Sequence, residues 1–217
     1  MQEYLNPTQF LDSDHEAVTD FAVRHTAGAT DDREKAVRLF YAVRDGFQYD
    51  PYVLDLRPES MKASALLSRS RGYCVEKAVL LAAAARSVGI PSRLSFYNVR
   101  NHIATERLAR ILRKDYLVFH GAAEMYIDEK WVKATPAFNK RLCDFLGVDT
   151  IEFDGNSDAI FQEYDRKGNV FMEYLHDYGV FDDLPYQMFL DELDRHYPHI
   201  TNNPLFVRDE LIYDFRK

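Results

Sequence analysis

Apolar residues recur at Ala17, Val18, Phe21 and Ala22 between Asp14 and Ala27, with Gly28 behind them, which is helical spacing followed by a stop. Asp31 with Glu34 three residues on is a capping-box pattern, and Ala36, Val37, Phe40, Tyr41 and Val43 carry a second helix to about Asp45. Phe47 to Pro51 reads as a short extended piece, and 57–70 holds a helical turn or two after Pro58. The clearest signal is Val75 to Val88, almost entirely apolar or small, with Gly89 and Pro91 just beyond. A surface helix needs a polar face, so this one is predicted to be the buried central helix. Strands are expected at 93–99 and 116–127, with a short helix from Ala104 to Leu112 between them. Asp128-Glu129-Lys130 then turns the chain into a strand at 131–135 that Pro136 ends, making an antiparallel hairpin beside the core helix. Helices follow at 140–146 and 186–196. The acidic, turn-rich stretch 149–183 between them reads as solvated loop, long enough to fold over a cleft as a lid.

The fold class expected is α+β, a single domain over 1–217 with its core at about 31–137 and an elaboration at 138–217. Composition agrees, since 47% hydrophobic and 29% charged residues supply a packed core and a soluble surface and exclude disordered and low-complexity classes. Lys and Arg total 27 against 35 Asp and Glu, a net charge of −8 that repels phosphate backbones and anionic lipid, so neither nucleic acid nor a membrane is expected as partner. No apolar run approaches the roughly 20 residues of a membrane span, and the start, Met1 to Pro7, lacks a signal-peptide layout, so a cytoplasmic location is expected. Two cysteines, Cys74 and Cys143, are too few for a disulfide framework and are expected as single thiols. There is no Gly-rich phosphate loop, Gly-x-Ser-x-Gly elbow or Cys-x-x-Cys, and Tyr197-Pro198 separates His196 from His199, so no metal or organic cofactor is expected.

Cys74 lies where the buried helix starts, where unpaired N–H groups and the helix dipole favour a thiolate and could hold the oxyanion formed when it attacks a carbonyl. Small-residue packing accounts better for an isolated cysteine, so a base must be found. His120 is one, near the middle of a strand that presents His120, Glu124 and Tyr126 at even steps on one face.

With Gly72-Tyr73-Cys74 opening the Ala-rich helix, 85–93 closing it, and His120 through Trp131 followed by Pro136, the sequence resembles the transglutaminase-like family of the papain-like fold over about 31–137. Phe153-Asp154-Gly155, Asp158-Ala159 and 182–185 look like the tail of a stand-alone bacterial subgroup. The resemblance implies a nucleophile at Cys74 and a general base at His120. Where the family carries Asp before the proline to orient the histidine, this chain has Thr135, whose hydroxyl can accept an N–H but supplies no charge. A two-residue turn at Asp128-Glu129 would set His120 opposite position 137, so Asn139 is a second candidate orienter. Tyr73 is a candidate wall of the substrate cleft, and His102 a loop histidine that could line it. Glu124 is expected to pair with Arg86 or Arg93, Trp131 to anchor the hairpin, and Cys143 to pack in the core.

The resulting expectation is a cysteine-dependent amidase, peptidase or acyltransferase that forms a thioester at Cys74 from a peptide or protein amide, resolved by water or an amine acceptor. Two alternatives stand beside it: a non-catalytic domain that binds a peptide or protein through the same cleft, and an acyltransferase using a thioester donor.

Overall fold

The computed structural model describes residues 1–102, 106–160, 164–202 and 211–216. The chain passes through α1 (Glu16–Thr26), α2 (Asp32–Gly46), β1 (Gln48–Tyr49), β2 (Val53–Asp55), α3 (Ala63–Leu67), β3 (Arg71–Gly72) and α4 (Cys74–Ser87). It continues with β4 (Ser92–Asn101), α5 (Glu106–Leu112), β5 (Tyr116–Ile127), β6 (Lys130–Ala134), α6 (Lys140–Leu146), β7 (Met172–Phe181), α7 (Tyr186–His196), α8 (Pro198–Thr201) and β8 (Ile212–Asp214). Asp31 caps α2 by accepting the Glu34 N–H at 2.8 Å, while the Glu34 carboxylate reaches back to the Thr30 N–H at 2.8 Å. The start of the helix expected from Ala104 falls outside the described residues.

Helix α4 is the centre of the molecule: every residue from Cys74 to Arg86 is buried. Alanines at 82–85 and leucines at 80 and 81 let neighbours approach on all sides, and its polar residues each have partners waiting. The Arg86 guanidinium donates to the carbonyls of Ser92, Asn6 and Asp182. Glu76 accepts the Tyr73 N–H at 3.0 Å and pairs with Arg69 at 2.7 Å. Lys77 donates to three carbonyls, as described below.

One face of a four-stranded antiparallel sheet, in the order β6-β5-β4-β7, packs on α4. Gly121 marks the closest approach, because a Cβ there would lie 3.2 Å from the Val75 Cα and 3.3 Å from the Ala78 Cβ. The β5–β6 hairpin closes through Asp128 and Glu129, both at positive φ (48° and 64°), with Ile127 opposite Lys130 and Ala123 opposite Ala134. Beyond Ala134 the ladder ends: Thr135 donates its N–H to Ala159 instead. The hairpin end is held by ions, with Arg93 on Glu124 at 2.7 Å and its guanidinium 4.0 Å from the Trp131 ring. Arg93, not Arg86, is thus the partner of Glu124.

The acidic stretch departs from the loop expected. Its second half is β7, the edge strand paired with β4 from Leu94 to Asn101. The same apolar core takes in Phe153, Phe171, Phe189, Ile200 and Tyr213, so the residues after 137 are packed into it.

Candidate active site

Two short strands bring the first site residues together. Parallel pairing of β1 with β3 sets Tyr49 beside Gly72, so the chain enters α4 with Tyr49 alongside, and Tyr49 and Cys74 line the same cavity. Backbone N–H groups of Gly121 in β5, of Val75 and of Cys74 itself favour the thiolate form of the Cys74 sulfur. The Gly121 contact is possible because that residue has no side chain to hold β5 away. His120 precedes Gly121 directly, so the peptide unit linking them lies against the thiol.

A bulge sets the conformation of β5 at this point. Tyr97 pairs with His120 but Val99 pairs with Leu117, leaving Asn98 opposite two residues, Val118 and Phe119. Phe119 takes φ 60°, unusual for an aromatic residue, and the Asn98 side-chain carbonyl holds it there by accepting the Phe119 N–H at 3.1 Å. The same oxygen accepts the Tyr178 hydroxyl at 3.1 Å, and the Phe119 ring stacks on Phe96 with centroids 4.4 Å apart.

The electrostatics run against the thiolate expected at a helix start. The three N–H groups do lower the Cys74 pKa, but burial outweighs them and pushes the thiol up to about 11. Burial likewise pushes His120 down to about 3. At rest Cys74 is therefore a neutral thiol and His120 a neutral imidazole.

Lys77, one of the few polar residues of α4, is completely buried one turn from Cys74. Its Nζ donates to the carbonyls of Arg44 at 2.9 Å, Phe47 at 2.8 Å and Ala137 at 2.8 Å. Burial lowers its pKa to about 7, but three accepting carbonyls use all three protons of an ammonium, which a neutral amine does not have. Lys77 thereby ties α4 to the end of α2 and to the segment after Pro136.

The other expected site residues separate. Thr135 is buried, and its hydroxyl has no hydrogen-bond partner among the described residues. Asn139 accepts the Tyr49 N–H at 3.2 Å through its side-chain carbonyl, which links it to Cys74 through Tyr49. Tyr73 lines a cavity with Cys74 and donates its hydroxyl to the Met61 sulfur at 3.3 Å. His102 does not line that cavity. It lies at the end of β4, its Nε2 3.5 Å from the Glu173 carboxylate, because the strand carries it away from α4. Cys143 is buried in α6, and burial raises its pKa as well.

The cavity at Cys74 has a volume of about 70 Å³ and is walled by Tyr49, Leu54, Val118 and residues of α5 and α7. A larger cleft of about 380 Å³, lined by Asp50, Arg69, Arg71, Glu76 and Arg216, does not include Cys74. Among the described residues no cluster of three or more His, Cys, Asp or Glu is placed to hold a metal, and no helix is long and apolar enough to cross a membrane.

Among solved structures the chain is similar to a candidate cysteine protease from Cytophaga hutchinsonii, at 15% identity and TM-score 0.47 over 82% of this chain and 53% of that one. It is also similar to a candidate protease from Parabacteroides distasonis, at 19% identity and TM-score 0.38 over 54% of this chain and 22% of that one. It therefore spans about half of the first protein and less than a quarter of the second. No curated protein matches the sequence. A buried helix opening on a cysteine and packed on an antiparallel sheet is the α+β arrangement of the papain-like fold, and the match of residues 19–136, more than half of the 217, makes this chain a member of the transglutaminase-like superfamily.

Proposed function

We propose that this protein is a cysteine-dependent hydrolase or acyltransferase in which Cys74 attacks an amide carbonyl and His120 moves the proton. The observation that carries this reading is the position of Cys74 at the buried start of α4, where the N–H groups of the first turn have no partner within the helix, with Gly121 from the strand of His120 packed 3.2 Å from the Val75 Cα of that turn. Those donors are placed to stabilise negative charge on sulfur or on an oxyanion beside it. In the first step the Cys74 sulfur bonds to the carbonyl carbon while His120 takes the thiol proton. The C–N bond then breaks and the amine leaves with that proton. In the second step water or an amine attacks the thioester, its proton passes to His120, the C–S bond breaks, and Cys74 recovers its proton. Either Thr135 or Asn139 would orient the imidazole, and neither brings a charge to stabilise the imidazolium. The substrate is a peptide or protein amide.

The test is the fate of an acyl group delivered by an activated ester. Acid quench and mass spectrometry should find it on Cys74, and adding a primary amine should divert it to the amide if the protein is a transferase. No acyl group on Cys74 at any pH would reject the reading.

A specific observation favours a second reading, a binding domain without turnover: Cys74 and His120 are both shifted by burial toward their neutral forms. In that case Cys74→Ala leaves partner binding intact.

A further inference from the structure

We propose that the acyl group taken up by Cys74 is a short aliphatic one, about the size of a valine or leucine side chain, seated in the cavity beside the sulfur. This rests on the nucleophile reading above and goes further by naming the substrate class. Cys74 lines the cavity, so a carbonyl carbon bonded to its sulfur directs its substituent into it. The described lining residues include no charged side chain. Two of their three phenols are already engaged, Tyr73 with the Met61 sulfur and Tyr197 with the Val118 N–H at 3.1 Å and the Tyr116 carbonyl at 2.8 Å, and the third, Tyr49, lines the cavity with Cys74. The remaining surface is Leu54, Val75, Val118 and the leucines of α5, closed by Phe189 and Leu193 of α7.

An amide or carboxylate on the acyl chain would lose its water here and meet at most the single Tyr49 phenol, which disfavours it by about ten-fold or more. Charged partners are found instead in the separate cleft of Arg69, Arg71 and Glu76, which Cys74 does not line. Size sets the other limit. About 70 Å³ is roughly half of the ~150 Å³ apolar cavity known to hold a benzene ring, so a three- or four-carbon branched group fits and an aromatic one does not. Phe189, Leu193 and Tyr197 lie beyond residues 19–136, so this wall belongs to the chain's own elaboration and not to the part that matches the superfamily.

The experiment compares p-nitrophenyl esters of isovaleric, succinic and benzoic acid on the full chain, each rate divided by that of the same ester with a small free thiol. Acylation forms the C–S bond at Cys74, breaks the ester C–O bond and releases p-nitrophenolate, with the thiol proton passing through His120 to solvent. Mass spectrometry locates the acyl group. Isovaleryl should acylate Cys74 about ten-fold or more faster than succinyl or benzoyl. Leu193→Ala should move the preference toward benzoyl, and Leu193→Phe should slow isovaleryl. Succinyl equal to isovaleryl, or an order unmoved in both Leu193 variants, overturns the proposal and leaves the nucleophile reading intact. Cys74→Ala supplies a readout without chemistry, an NMR titration with isovaleramide against succinamate. Preferential binding of isovaleramide with no acylation of the native protein removes the nucleophile and keeps the seat. No preference in that titration removes the seat.

Discussion

The two ends of β5 are built by opposite means. At the hairpin end the backbone is regular, the turn is a two-residue one, and the buried Glu124 carboxylate is paired with Arg93 at 2.7 Å and approached by Lys133 at 3.9 Å. At the other end the register slips at Asn98, Phe119 sits at positive φ, and a buried thiol and imidazole are held in their neutral forms. One end spends its polar residues on structure. The other leaves a shifted cysteine lining an apolar cavity and a shifted histidine on the strand packed against its helix, and perturbed groups of this kind signal chemistry. Between them, Gly121 joins strand to helix closely enough for its N–H to favour the Cys74 thiolate.

Substitutions at each end sharpen that contrast. The largest effect is expected at Lys77: Lys77→Met leaves three buried carbonyls without a donor and should cost about 3 kcal/mol or more, a large share of the ~5–15 kcal/mol that holds a typical domain. Urea denaturation measures it, and a loss below about 1 kcal/mol would mean the ammonium is not holding α4. At the bulge, Asn98→Ala strips the acceptor from the Phe119 N–H, while the Tyr178 hydroxyl keeps Glu192 at 2.6 Å, for about 1–3 kcal/mol and a fall in Cys74 acylation. Stability lost with acylation unchanged would show that the bulge does not set the site.

The pH dependence has a definite sign. Folded His120 stays neutral down to about pH 3, whereas in the unfolded chain it takes a proton below about 6.5, so stability falls as pH drops through that window. Relative to neutral pH the loss at pH 5 should be about 2 kcal/mol, and His120→Gln should remove it. The acid limb of acylation should lie well below 6.5 for the same reason, and a limb near 6.5 would identify an exposed histidine as the base. The smallest effect belongs to the hairpin end: Glu129 sits at φ 64°, so Glu129→Gly should stabilise by about 1 kcal/mol or less, read as a rise in melting temperature.

What the sequence shows follows the same division. Helix α4, the capped α2 and the β5–β6 register are legible because each is fixed by local patterning: apolar periodicity, Asp31 with Glu34, and a two-residue turn. Strand β7 is not, because Met172 to Phe181 is mostly exposed, lacks alternation, and is a strand only through long-range pairing with β4. Cys74 stands out by its position at a helix start, but its raised pKa depends on how deeply that start is buried. Lys77 needs carbonyls from two distant segments, the bulge at Phe119 needs the register against Asn98, and the α7 wall comes from residues over a hundred positions away in sequence. None of these carries a local signature.

The central claim is that Cys74 and His120 act as a unit, and the most direct test is the single-turnover acylation of Cys74 by p-nitrophenyl acetate at pH 7 in native protein and in His120→Gln. Peptide mapping separates Cys74 from Cys143. The account predicts that label appears on Cys74 and that the His120 change slows it by about 10²–10⁴-fold. Equal rates in the two proteins, or label on Cys143 in place of Cys74, would contradict it.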